Sequence, residues 1–98
     1  MSVLAFDTRF MEEIAAKYSD CVSLSQDINI KLDKARTDMQ ASYKGQGEDM
    51  VQECFAKIKE HMQLLEECFS QTGQYVTYTK ETIDETEEAM VSEFHTII

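Results

Sequence analysis

Proline and tryptophan are absent from these 98 residues and glycine occurs only three times. Nothing therefore supplies the repeated tight turns that a small β-sandwich or barrel needs, and long uninterrupted elements are expected. Long apolar runs are missing too. No stretch approaches the roughly 18 residues of a membrane span, and Met1–Phe10 carries Asp7 and Arg9 where a secretory signal would need its apolar segment. If the protein leaves the cell, the general secretory route is not the way out. Basic residues are scarce: 9 Lys and Arg stand against 19 Asp and Glu, a net charge of −10. That sign repels phosphate backbones and anionic lipid, so nucleic acid is not an expected partner. Residues 44–98 hold most of the excess.

Other parts are missing in ways that exclude chemistry. The three cysteines, Cys21, Cys54 and Cys68, are an odd number without a C-x-x-C pair, so neither a disulfide framework nor a structural zinc site is indicated. They read as buried small hydrophobes. His61 and His95 stand far apart, and no Gly-rich phosphate loop, His-Glu-x-x-His or calcium-loop spacing occurs. The expectation is a protein that is not an enzyme, with no catalytic residues, cofactor, metal or small-molecule substrate. The six methionines read as adaptable core filling.

What is present is helical periodicity in a composition of 43% hydrophobic and 29% charged residues, the ordinary range for one globular domain over 1–98. Met11, Ile14, Tyr18, Cys21, Ser25, Ile28, Leu32, Ala35, Met39 and Ser42 recur at alternating steps of three and four. A first helix is predicted over about 7–42, with Asp7 as its N-cap. The pattern breaks at Tyr43-Lys44-Gly45-Gln46-Gly47, where two close glycines would each cost a helix about 1 kcal/mol, so the chain turns over 43–47. A second stripe then runs from Val51 through Phe55, Ile58, Met62, Leu65, Phe69 and Val76 to Ile83 and Met90, predicting a helix over about 48–94. Glu48 and Asp49 suit its positive N-terminal end. Gly73 marks either a bend or a small residue tolerated where neighbours crowd.

The fold class is thus all-α, an antiparallel two-helix hairpin. Reversal at Gly45 sets residues whose numbers sum to about 90 side by side, so Leu32 faces Ile58, Ile28 faces Met62 and Ile14 faces Val76. The longer second helix overshoots, and 84–98 is expected to be a flexible acidic tail with no Lys or Arg after Lys80. One seam is a thin core against about 1–2 kcal/mol of backbone entropy per residue. More cover is needed. Phe10, Cys54, His61, Leu64, Cys68, Tyr75 and Tyr78 lie off the seam and are the expected contacts for a helical protein partner, either a larger protein, another hairpin or a second copy in a homodimer.

The length, the two helices, the missing signal peptide and the aromatic-x-Gly tripeptide Tyr43-Lys44-Gly45, followed by Met50, Val51 and Phe55, resemble the Trp-x-Gly helical-hairpin family secreted by type VII systems. Tyrosine in place of the signature tryptophan is closer to the divergent hairpins that accompany LXG-type toxins. The resemblance implies a targeting factor or chaperone that binds the helical N-terminal domain of a larger effector. It also implies a cytoplasmic protein before export by a signal-peptide-independent route. The family's export signal, Tyr followed four residues later by Asp or Glu, is not met by Tyr75 or Tyr78, which are followed by Thr79 and Thr82, leaving a partner to provide it. The alternatives are a self-associating homodimeric hairpin that is itself exported, and a cytosolic coiled-coil adaptor or chaperone of another secretion apparatus.

Overall fold

A computed structural model of the chain describes residues 7–42, 45 and 47–97. Two helices account for nearly all of them: α1, Arg9–Ser42, and α2, Glu48–Ile97. Packed antiparallel, they form a hairpin of 81 × 16 × 12 Å. Its radius of gyration is 22.9 Å, where a compact chain of this length would have about 13 Å.

α1 begins two residues later than the periodicity suggested. Asp7 nevertheless supplies the expected acceptor, because its carboxylate takes the Arg9 backbone N–H at 3.1 Å and the Arg9 guanidinium at 3.0 Å. These bonds, the side-chain one foremost, hold the Asp7 carboxyl down at about 2. Tyr43 and Lys44 of the turn motif lie outside the described residues. Gly45 is exposed, and its carbonyl accepts the Glu48 N–H at 3.2 Å while that of Gly47 accepts the Val51 N–H at 3.0 Å. The left-handed backbone that requires glycine falls on Gly47, with φ of 99°. α2 then runs without interruption to Ile97, through the stretch assigned to the acidic tail.

Polar contacts across the seam fix the register. Residue numbers add to 92 at Thr8–Asp84, Glu12–Lys80, Gln26–Glu66 and Asp33–Lys59, close to the predicted value. The seam itself is rotated from the predicted one. On α1 the residues turned inward are Met11, Ala15, Tyr18, Val22, Ser25, Asn29, Leu32 and Arg36; on α2 they are Gln52, Phe55, Lys59, Met62, Glu66, Phe69, Gly73, Val76, Lys80 and Ile83. Ile14, Ile28, Ile58 and Leu65, all expected to face the partner helix, are 39%, 42%, 47% and 45% exposed. The physical reason is that cross-helix polar pairs and small residues draw the seam to one edge of each stripe. The seam takes one column of each apolar stripe, Met11, Tyr18 and Leu32 on α1 and Phe55, Met62, Phe69 and Val76 on α2, and pairs it with a small or polar column, Ala15, Val22 and Asn29 on α1 and Gln52, Lys59, Glu66 and Gly73 on α2, so the other apolar column of each stripe stays outside.

Close approach favours that edge. A Cβ on Gly73 would stand 3.2 Å from the Tyr18 Cβ and 3.8 Å from the Ala15 carbonyl oxygen, so Gly73 is the small residue at a crowded crossing, and α2 continues through it. Ser25 is the most buried side chain at 3% exposure, and its hydroxyl donates to the Cys21 carbonyl at 2.9 Å. Beside them the Tyr18 and Phe69 rings pack at 6.3 Å between centroids. Among the described residues no apolar side chain is fully buried.

Candidate functional site

A seam displaced to one edge of each stripe leaves the other edge open. From the shared apolar column, Met11 on α1 and Phe55 on α2, a step of three residues reaches Ile14 and Ile58, and a step of four reaches Ala15 and Lys59. For two right-handed helices packed antiparallel, the three-step positions of both helices fall on the same side of the hairpin. One face therefore collects the leftover columns: Ile14, Cys21, Ile28 and Ala35 from α1, and Val51, Ile58, Leu65, Thr72, Thr79 and Thr86 from α2. Next to the latter runs Cys54, His61, Cys68, Tyr75 and Thr82. As far as Thr86 these three columns contain no Asp, Glu, Lys or Arg, although such residues make up 29% of the chain; Glu93 then ends the second of them. The opposite face carries a shallow groove of about 450 Å³ lined by Ala15, Val22, Phe69 and Tyr78 together with Ser19 and Ser70, so Tyr78, expected at the partner contact, borders this side.

All seven residues expected at a partner contact are exposed. Cys54, His61, Cys68 and Tyr75 stand in one column on the charge-free face, with Phe10 at its α1 rim. Leu64 and Tyr78 lie one column farther round α2. The cysteines correct the sequence reading: Cys54 and Cys68 are exposed and Cys21 is half-buried, because burial was assigned to stripes wider than a single seam can cover. The periodicity also placed Ile58 and Leu65 inside the hairpin, so these two residues of the open face were missed. Their signal was present in the sequence as a stripe too wide for one neighbour.

The hairpin exposes 7738 Å² of surface. A compact chain of 11.3 kDa would expose about 5,700 Å², so about 2,000 Å² more is left to solvent, on the scale of the surface a stable protein–protein interface removes.

At the open end a polar clamp joins the helices. Thr8 donates to Asp84 at 2.8 Å, and Lys80 bridges Asp84 at 2.7 Å and Glu12 at 3.3 Å. Lys80 and Thr8 together hold the Asp84 carboxyl below its ordinary value, and Asp84 and Glu12 raise Lys80 above its own. Asp84, grouped by sequence with the tail, is thus part of the inter-helix contact. Three similar polar cross-links follow toward the turn, Gln26 to Glu66 at 2.7 Å, Lys59 to Asp33 at 2.8 Å and Arg36 to Gln52 at 2.6 Å. They specify register more than they stabilise, since exposed pairs contribute about 0–1 kcal/mol. Among the described residues no group of His, Cys, Asp and Glu is arranged to hold a metal ion, and no helix is long and apolar enough to cross a membrane. The arrangement offers an elongated apolar surface. No protein-family model, curated protein or solved structure matches the chain.

Proposed function

We propose that this chain is a small partner protein associated with type VII secretion, which binds the helical N-terminal domain of a larger effector, of the kind found in LXG toxins, as targeting factor or chaperone. The observation that carries the reading is the charge-free face around Ile58 and Leu65, left open on a hairpin that has no fully buried apolar side chain among the described residues. Helices supplied by a partner would cover that face and complete a bundle, each large apolar side chain contributing about 1.5–3 kcal/mol on full burial. The resemblance carried by Tyr43-Lys44-Gly45 supports the choice of partner class.

The test is to look beside the gene for a large effector with a helical N-terminal domain and to co-express that domain with this chain; a neighbourhood without such a gene already counts against the reading. A stoichiometric complex that survives gel filtration, and is lost in an Ile58→Asp/Leu65→Asp variant of unchanged helicity, is the expected result. Absence of a complex with the wild-type chain overturns the reading.

A second reading, a homodimeric hairpin, is favoured by one feature of the face. With two copies face to face and their turns at the same end, α1 of one lies over α2 of the other. The register, a sum of 92, then brings Leu24 level with Cys68, and Phe10 level with Thr82 of the same column. Sedimentation separates the two: a concentration-stable dimer of the isolated chain supports the homodimer, and a monomer supports the effector partner.

A further inference from the structure

The clamp at Thr8–Asp84 marks where α1 begins, yet α2 continues for 13 residues beyond Asp84 to Ile97, a further length of about 20 Å. Its seam columns continue as well: Met90 and Ile97 extend the column of Phe55 and Ile83, and Phe94 extends that of Lys59 and Lys80. Met90, Phe94 and Ile97 are 44%, 54% and 78% exposed, and they stand on the side of α2 along which α1 lies. At their root a groove of about 370 Å³ opens between Asp7, Phe10, Met11, Ile83, Thr86 and Met90.

The chain itself leads into that groove. Residues 1–6, Met-Ser-Val-Leu-Ala-Phe, lie outside the described residues and join the hairpin at Asp7, one of the residues that line it. Five of the six are apolar and none is charged, so the segment matches the stripe in kind. Asp7 caps α1 by taking the Arg9 backbone N–H, and helical geometry starts only after a capping residue. The cap also relates two side chains: Phe6 stands just before it and Met11 four places after it, the pair of positions that pack together as a hydrophobic staple. Met11 is a wall of the groove, so a Phe6 ring stapled to it enters beside Ile83. Six residues in extended form reach about 20 Å, the length of the α2 extension. Tethering favours this occupant over a free helix, because a segment fixed at the mouth of a site acts at an effective concentration of about millimolar.

We propose that residues 1–6 are an apolar strap that closes the open end of the hairpin. Phe6 fills the groove against Met11 and Ile83; Leu4, two residues away and on the same side of an extended chain, lies on Met90, and the segment runs on toward Phe94. The strap covers this end from within the chain and leaves the face of Ile58 and Leu65 as the surface for another protein. It does not depend on what covers that face.

The test is NMR on the full chain with methyl-labelled methionine, joined to hydrogen exchange. Contacts from the Phe6 ring to the Met11 and Met90 methyls are expected, and the Met90 contact should vanish in Phe6→Ala. Leu4→Ala/Phe6→Ala should speed exchange of the amides of residues 86–97 by about ten-fold or more and leave residues 51–76 unchanged. Leu4→Met/Phe6→Leu, which keeps the apolar bulk, should retain the protection. A Phe6 ring that touches Met11 and not Met90, with residues 86–97 indifferent to the alanine variant, would reduce the segment to a staple of the first turn and overturn the proposal. Faster exchange spread evenly over α2 would do the same, by making the effect one of global stability. So would ring-to-methyl contacts that arise only between labelled and unlabelled chains in a mixed sample, which make a second copy the occupant.

Discussion

Two single residues decide the ends of the hairpin, and each gives a prediction. At the turn, the positive φ of Gly47 forbids a side chain without strain, whereas a Cβ on Gly45 would meet nothing within 4 Å. Gly47→Ala is expected to destabilise by about 1–2 kcal/mol, and Gly45→Ala to be neutral or to stabilise by up to about 1 kcal/mol through the unfolded chain; urea denaturation of both variants checks the order. The sequence showed both glycines, and spacing alone does not say which backbone is left-handed. At the open end, Asp84 is held below its usual range by Lys80 and then Thr8. A carboxylate with a depressed folded pKa stabilises above its unfolded value of 3.8 and loses that contribution as pH falls through the lower folded one. The melting temperature of the wild type should therefore fall more steeply between pH 5 and pH 3 than that of Asp84→Asn. Parallel slopes would mean that the clamp contributes nothing.

At the scale of the helices, what matters is which columns of side chains meet. The stripes of α1 and α2 were legible from period alone, as were the reversal, the near-constant sum of paired residue numbers and the helix bounds to within a few residues. The rotation of the seam was not, because apolar period marks one column of each helix and does not show that its seam neighbour is the small and polar column of Ala15 and Asn29 on α1 and of Lys59, Glu66 and Gly73 on α2. Gly73 and Ala15, in the small column of each helix, allow close approach on that side. Gly73→Leu should push directly on the Tyr18 Cβ, 3.2 Å from where its own Cβ would stand, and destabilise the hairpin by about 1–3 kcal/mol. Chemical denaturation followed by circular dichroism measures this, and an unchanged midpoint would show that the crossing is loose.

For the whole molecule, an 81 Å hairpin without a fully buried apolar residue among those described has little to set against its chain entropy. The isolated chain is expected to unfold broadly and at low temperature. A ligand of the open face present at 100 times its dissociation constant should add about 2.7 kcal/mol, visible as a rise in melting temperature by scanning calorimetry. A sharp, high transition in dilute solution that is independent of concentration would contradict the need for cover. From sequence alone came the all-α class, the hairpin, the acidic second half and the surplus of apolar surface, because helical period, scarce glycine and charge counts are local properties. Only the tertiary structure decided which edge of each stripe stays open, that Asp84 belongs to the clamp, and that seam positions run on past the start of α1. Those outcomes depend on how two surfaces fit, and fit is a property of the pair that neither helix carries by itself.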